Sequence, residues 1–264
     1  MTRRVLALLA ALAFFVVACG GAPAASPISD PKEILAQSTA ALANTKTVTM
    51  NGSFGGTVQA QGVGAFDLSS IKLNMALDIP NKKVHVTLDA PTLLGTNLDL
   101  IAADNAAFVK MVGPLAAFVP GLDTSGKYTK FAGTADTGSA VNDVSDPAKV
   151  LEQVRTGLAS LPKQPTKLAD EKCGDTDCYH VQLAMSAQDL AALGAAAASS
   201  GTQLNSLNVD LWTRKNDLRP AKLAIAADAT GVGQVTATFD LAYDQAVNIS
   251  APPADQTVEA PKPS

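Results

Sequence analysis

Few side chains in this sequence have the types and spacing that catalysis requires. The chain has two histidines, His85 and His180, and each alternates with apolar neighbours in a strand-like segment, which predicts the polar face of a strand. Ser160-Leu161-Pro162-Lys163 matches the S-x-x-K pattern of serine acyl enzymes. That pairing needs a helical turn, which Pro162 disfavours. We therefore expect no catalytic residue, no cofactor and no enzyme activity.

Cys19 is the residue whose surroundings best define a chemistry. It follows Val16-Val17-Ala18 and precedes two glycines, an arrangement that resembles the bacterial lipobox, in which the thiol takes a diacylglyceryl group. Arg3 and Arg4 precede an apolar run that ends at Ala18 and is too short to span a bilayer. We predict a lipoprotein signal peptide over residues 1–18 and lipid attachment at Cys19, the alternative being a cysteine that merely ends a cleaved signal.

This N-terminus predicts the location of the protein. Export would place the chain outside the cytoplasm, and two or three acyl chains such as palmitate on Cys19 would hold it stably on the outer face of the cell membrane. We interpret residues 19–30 as a tether and residues 254–264 as a flexible tail, because both are polar or small-residue segments with proline. Residues 31–253 then form a single domain.

The other two cysteines, Cys173 and Cys178, lie five positions apart. On the oxidising side of a membrane this spacing favours a local disulfide that clamps a hairpin turn. The alternative is a metal cluster with Asp175, Asp177 and His180, but the spacing matches no common zinc pattern. We expect the disulfide and no metal.

The charge excludes one class of partner. The chain has 20 Lys and Arg against 24 Asp and Glu, and loss of Arg3 and Arg4 with the signal would leave 18 basic residues. An acidic protein of this kind is not expected to bind nucleic acid or to be attracted electrostatically to anionic headgroups.

Hydrophobic periodicity predicts the elements. Ser29-Asp30-Pro31 caps a helix that ends near Asn44, and a second helix begins at Asp146-Pro147 and stops at Pro162. A third covers residues 186–199. Between the helices the period changes to two, as in residues 71–79 and 84–88 around a Pro80-Asn81-Lys82 turn. Further alternating strands follow at 166–171, 179–185, 207–213, 222–228 and 234–243. The pattern predicts an α+β fold in which a strongly curved antiparallel sheet, a half-barrel, has helices covering its concave face.

Residues 112–121 are apolar throughout but contain proline and glycine, which excludes a regular central strand. A loop folded onto the core is the simpler interpretation. The other is a lip at the mouth of a pocket or a membrane-facing loop, formed by Val112, Leu115, Phe118 and Val119.

Several segments in this order resemble the LppX/LprAFG family of bacterial envelope lipoproteins, which have a periplasmic lipoprotein-carrier-like fold. They are the lipobox, the tether, the capped first helix, the hairpins, Asp146-Pro147-Ala148-Lys149-Val150-Leu151, Cys178-Tyr179-His180-Val181 before Ser186-Ala187-Gln188-Asp189-Leu190, Val209-Asp210-Leu211-Trp212, and Val247-Asn248-Ile249-Ser250-Ala251-Pro252-Pro253.

The resemblance implies a half-open barrel that holds acyl chains of envelope lipids and carries or transfers them, with a membrane transporter as a further partner. The residues expected to line its lipid cavity are Leu73, Met75, Leu77, Val84, Val86, Leu88, Leu183, Met185, Leu223, Ile225, Phe239 and Leu241. A one-residue slip in register would turn all of them outward. Plain core packing of these residues is an alternative, and so is a sensory or protein-binding module of the same fold.

Overall fold

A computed structural model describes residues 27–60, 64–132, 152, 156, 164–192 and 203–261. The predicted signal peptide, Cys19, most of the tether, the Ser160-to-Lys163 segment and the end of the tail lie outside these residues. The predicted second helix also lies outside them except for Glu152 and Thr156, which are helical.

The first helix forms where its capping signal predicts. Helix α1 (Pro31–Ala41) begins after Asp30, whose side chain accepts a hydrogen bond from the Lys32 backbone N–H. Pro31 has no backbone N–H, but an N–H in the first turn would have no acceptor within the helix. A 3₁₀ helix (Leu42–Asn44) follows it, so the helical segment ends at Asn44 as predicted.

The described residues contain fourteen strands in one large curved sheet that does not close. In chain order these are β1 (Thr47–Ala60), β2 (Gly64–Asp67), β3 (Lys72–Asp78), β4 (Lys83–Ala90), β5 (Thr96–Ala103), β6 (Ala106–Val112), β7 (Tyr128–Ala132), β8 (Thr166–Lys167), β9 (Glu171–Cys173), β10 (Thr176–Ser186), β11 (Leu204–Arg214), β12 (Pro220–Ala229), β13 (Gly233–Tyr243) and β14 (Thr257–Glu259). The spatial order is β14-β7-β6-β5-β4-β3-β1-β13-β12-β11-β10-β8, with β2 on β1 and β9 on β10.

Neighbouring strands are antiparallel except at one edge, where β14 runs parallel to β7. The sheet is therefore mixed, and the prediction of a purely antiparallel sheet is wrong at this edge. The prediction of a curved sheet with few helices is confirmed. That the helices cover a concave face stays a prediction.

The two ends of the sheet differ in what covers them. At one end, which we call the α1 end, Leu42 is buried against Val48, Leu77 and Tyr243, and α1 packs against Tyr179. At the other, the loop end, lie the β4–β5, β6–β7 and β12–β13 connections. The short helix α2 (Ala187–Ala192) packs there through Leu190 against β10 and β11.

The C-terminal segment differs from the expected flexible tail. After β13 the chain crosses the face opposite α1, where Ile249 is buried against Ile101 and Phe108. A 3₁₀ helix (Ala254–Gln256) then leads into β14. Strand β14 pairs with the free edge of β7, and this pairing orders residues 257–259. Their polar composition and nearby prolines had predicted a flexible tail.

The cysteine pair forms the predicted clamp. Cys173 ends β9, Cys178 lies in β10, and a disulfide joins them across the two-strand hairpin. Gly174 takes a positive φ of 61° in the turn. No helix in the described part of the chain is long and apolar enough to cross a membrane.

Candidate functional site: the apolar face of the sheet

Strand register places all twelve residues predicted for the lipid cavity on one face of the sheet. Across the β3–β4 hairpin, Leu77 pairs with Val84, Met75 with Val86 and Leu73 with Leu88. The same face continues through β1 to Leu241 and Phe239, through β12 to Leu223 and Ile225, and through β11 to Leu183 and Met185. We call this surface the apolar face. Its contact with lipid stays a prediction.

Burial divides the twelve residues into two groups. Leu77 and Val84, at 1% and 0% exposure, lie beneath Leu42, and Leu183 and Met185 are buried against Leu190. The other eight are only half-buried: Leu73, Met75, Val86, Leu88, Leu223, Ile225, Phe239 and Leu241. Of these, Met75, Val86, Leu223 and Leu241 also pack against the buried clusters of the α1 end. The centre of the apolar face thus keeps accessible hydrocarbon surface.

An aromatic pair lies in this centre. The Phe239 ring packs against the backbone of Gly52, and Phe54 meets the same ring edge-on with centroids 6.1 Å apart. Gly52 has no side chain, so the Phe239 ring can lie directly against the backbone of β1.

Further residues of this face were not predicted from the sequence. They are Val48, Met50, Phe54, Leu98, Leu100, Val109, Met111, Leu207, Val209 and Leu211. The alternation Val48-x-Met50-x-Gly52-x-Phe54 and the pair Leu98-x-Leu100 contain the signal that could have identified them. The glycines of β1 obscured it.

The predicted mouth residues lie at the loop end. A 3₁₀ helix (Pro114–Phe118) buries Ala116 but leaves Phe118 79% exposed, and Val112 and Val119 are also exposed. Leu115 is half-buried. Their position beside a cavity stays a prediction.

Both histidines lie on the face opposite the apolar one. His85 Nε2 lies 2.9 Å from Asp99 Oδ1, and the Tyr128 hydroxyl donates to Asp99 Oδ2 at 2.7 Å. Burial, and secondarily the hydrogen bond and charge of Asp99, raises the pKa of Tyr128 to about 12. Asp99 thus links strands β4, β5 and β7.

His180 is held in a second cross-strand cluster. Its Nδ1 lies 3.0 Å from Glu171 Oε1 and its Nε2 lies 2.8 Å from Asp210 Oδ1, while Trp212 stacks on the ring. Trp212 donates to Glu171, and this bond, followed by that of His180, lowers the pKa of Glu171. Both ring nitrogens of His180 therefore face carboxylates, and the cluster ties the disulfide hairpin to the sheet.

Within the part of the chain that the structure describes, no group of three or more His, Cys, Asp or Glu side chains could hold a metal ion. A polar cleft of about 390 Å³ beside the disulfide hairpin is lined by residues that include Glu171, Trp212, Lys222 and Asp240.

Comparison with known proteins bears on the fold. No protein-family model matches the sequence, and no curated protein matches it. Among solved structures, LprF from Mycobacterium bovis superposes with a TM-score of 0.50 at 11% identity, over 86% of this chain and 99% of LprF. This chain has the fold of the LppX/LprAFG family. The fold implied by the sequence resemblance is confirmed.

The lipoprotein LppX of Mycobacterium tuberculosis matches with a TM-score of 0.46 at 9% identity, over 83% of this chain and 98% of LppX. At such identities the likeness concerns the fold, and function must be argued from the chain's own residues.

Proposed function

We propose that this protein binds acyl chains of lipids on the apolar face, between the parts covered by Leu42 and by Leu190. One observation carries the proposal. Eight large apolar side chains from four strands, β3, β4, β12 and β13, face the same way and remain half-buried on an unclosed sheet. A group of accessible apolar side chains on one face is a candidate binding surface.

The energetics suit an acyl chain. Each CH₂ group moved from water onto the apolar face gains about 0.8 kcal/mol, so affinity would rise with chain length. Discrimination among similar tails would be weak, because an apolar surface gains little from one methylene more or less. The α1 end is covered by α1 and Leu42, so the polar headgroup would lie toward the loop end.

Anchoring and transfer complete the proposal. The lipobox-like segment supports export and lipid attachment at Cys19, and a protein held on the outer face of the membrane in this way meets envelope lipids. Shielding their acyl chains from water would let the protein carry them, and a membrane transporter would then supply or receive the cargo.

Adjacent residues on opposite faces of β12 allow a direct test. Ile225 lies on the apolar face and Ala226 on the other, and both are half-buried. We expect Ile225→Trp, which fills the centre of the apolar face, to reduce uptake of a fluorescent fatty-acyl probe by the full chain. Ala226→Trp is the matched control and should leave uptake unchanged. Folding of both variants is checked by far-UV circular dichroism, and equal uptake by two folded variants would contradict the proposal.

A further inference from the structure

Two neighbouring connections at the loop end expose large apolar side chains to solvent. Leu94, in the β4–β5 connection, is 54% exposed, and Phe118, in the β6–β7 connection, is 79% exposed. Val112 and Val119 flank Phe118 and are exposed as well. We call these four side chains the apolar tip.

The two connections lie side by side. A Cβ added to Gly113 would be 3.0 Å from the Gly95 carbonyl oxygen, so the backbones next to Val112 and Leu94 are in contact. Val112 also pairs with Asn97 across β5 and β6. The four side chains of the apolar tip therefore lie on two adjacent connections at the same end of the sheet.

The chemistry around the tip suits a lipid environment. Residues 90–98 and 111–122 contain no ionisable side chain. Burying a charge in hydrocarbon is costly, and these two segments carry none.

Local hydrogen bonds satisfy part of the backbone of the tip. In the β6–β7 connection the N–H groups of Ala116, Val119 and Leu122 donate to carbonyls three residues earlier, and Pro114 and Pro120 have no N–H. In the β4–β5 connection the N–H groups of Leu93, Gly95 and Thr96 are bonded in the same local way. A non-helical segment can enter hydrocarbon only at a high cost if its backbone N–H groups are unpaired.

We infer that the apolar tip inserts into the surface of a lipid bilayer. A protein partner would need a complementary surface of substantial area, whereas a bilayer accepts protruding side chains of any arrangement, and an aromatic residue such as Phe118 suits the headgroup boundary. The absence of charge in residues 90–98 and 111–122 fits a zwitterionic surface. This inference does not depend on the binding of acyl chains by the apolar face.

The test places a fluorescent reporter at each end of the sheet. Phe118→Trp reports on the tip, and Asn81→Trp, in the exposed turn at the α1 end, is the matched control. The full chain is reconstituted in phosphatidylcholine vesicles with and without bromine on the acyl chains, and the emission of unsubstituted protein, from Trp212, is subtracted. We expect the emission at position 118 to shift to the blue and to be quenched by brominated lipid, with neither effect at position 81.

Two results would overturn the inference. One is emission at position 118 that stays at the water-exposed wavelength and is quenched no more than at position 81. The other is a blue shift that is insensitive to bromine and grows with protein density, because the tip would then contact a second protein copy. Fatty-acyl probe uptake is measured on the same Phe118→Trp sample, so failure of tip insertion and failure of acyl-chain binding are distinguishable.

Discussion

The ring of Phe239 occupies the space that a side chain at position 52 would need. A Cβ built on Gly52 would lie 3.0 Å from Phe239 Cε1 and 3.1 Å from Leu73 Cβ. The central strand β1 thus has a glycine where its two neighbours supply the apolar surface. This contact lies in the centre of the apolar face, where we propose that an acyl chain binds.

Replacing Gly52 by alanine should push the Phe239 ring away from β1. Overpacking of this kind costs about 1–3 kcal/mol of the free energy of unfolding, which urea denaturation measures. In a Phe239→Leu background the ring is absent, and we expect Gly52→Ala to cost much less. Equal costs in the two backgrounds would show that the ring does not limit the space at position 52.

Truncating Leu42 should destabilise the α1 end. Leu42 is buried against Val48, Leu77 and Tyr243, so Leu42→Ala leaves a cavity and should lower the free energy of unfolding by about 2–5 kcal/mol. Lys32→Ala, at an exposed site on α1, is the control and should change it by less than about 0.5 kcal/mol. If the two variants are equally stable, Leu42 does not cover the sheet as described.

Reduction of the disulfide should weaken the β9–β10 hairpin. Cys173 and Cys178 are five positions apart, and closing so short a loop stabilises a protein by about 2 kcal/mol. We expect a reductant to lower the free energy of unfolding by that amount. The Cys173→Ser, Cys178→Ala double variant should not respond to reductant, and wild-type protein that behaves like this variant would argue against the bond.

Tyr128 and Tyr243 should ionise at an unusually high pH. The pKa of Tyr128 is raised to about 12, mainly by burial, and burial raises that of Tyr243 further. Because the pKa in the folded protein exceeds the ordinary value of about 10, the neutral phenol of Tyr128 stabilises the fold below pH 10, and this contribution is lost as the pH rises toward 12. The phenolate absorbance during an alkaline titration measures the pKa of Tyr128.

Substitution of Asp99 separates the causes of the Tyr128 shift. Asp99→Asn removes the charge but not the burial, so the pKa of Tyr128 should fall while staying above its ordinary value. Tyr128→Phe identifies which absorbance step belongs to this residue. A step that is unchanged in Asp99→Asn would mean that the carboxylate does not influence the phenol.

The fold was predictable where local patterns are strong. The alternation around the Pro80-Asn81-Lys82 turn indicates which side chains of β3 and β4 share a face, and the antiparallel register between them follows. The same alternation in β10, β12 and β13 puts all twelve residues on one face, while their contact with lipid stays a prediction.

Contacts between distant segments were not predictable in this way. β14 pairs with β7, more than a hundred residues earlier, and its own composition resembles that of a tail. The burial of Ile249 against Phe108 depends on the same crossing. The exposure of Phe118 also could not be read from an apolar segment, since such a segment fits a core loop equally well.

The most direct test of acyl-chain binding is to map where a photoactivatable fatty acid attaches to the folded full chain. Mass spectrometry of the crosslinked peptides should find the label on half-buried residues of the apolar face such as Val86, Ile225 and Phe239, with loss of labelling in Ile225→Trp. Labels spread over the opposite face, at Thr87, Ala226 and Thr238, or no saturable labelling at all, would contradict the account.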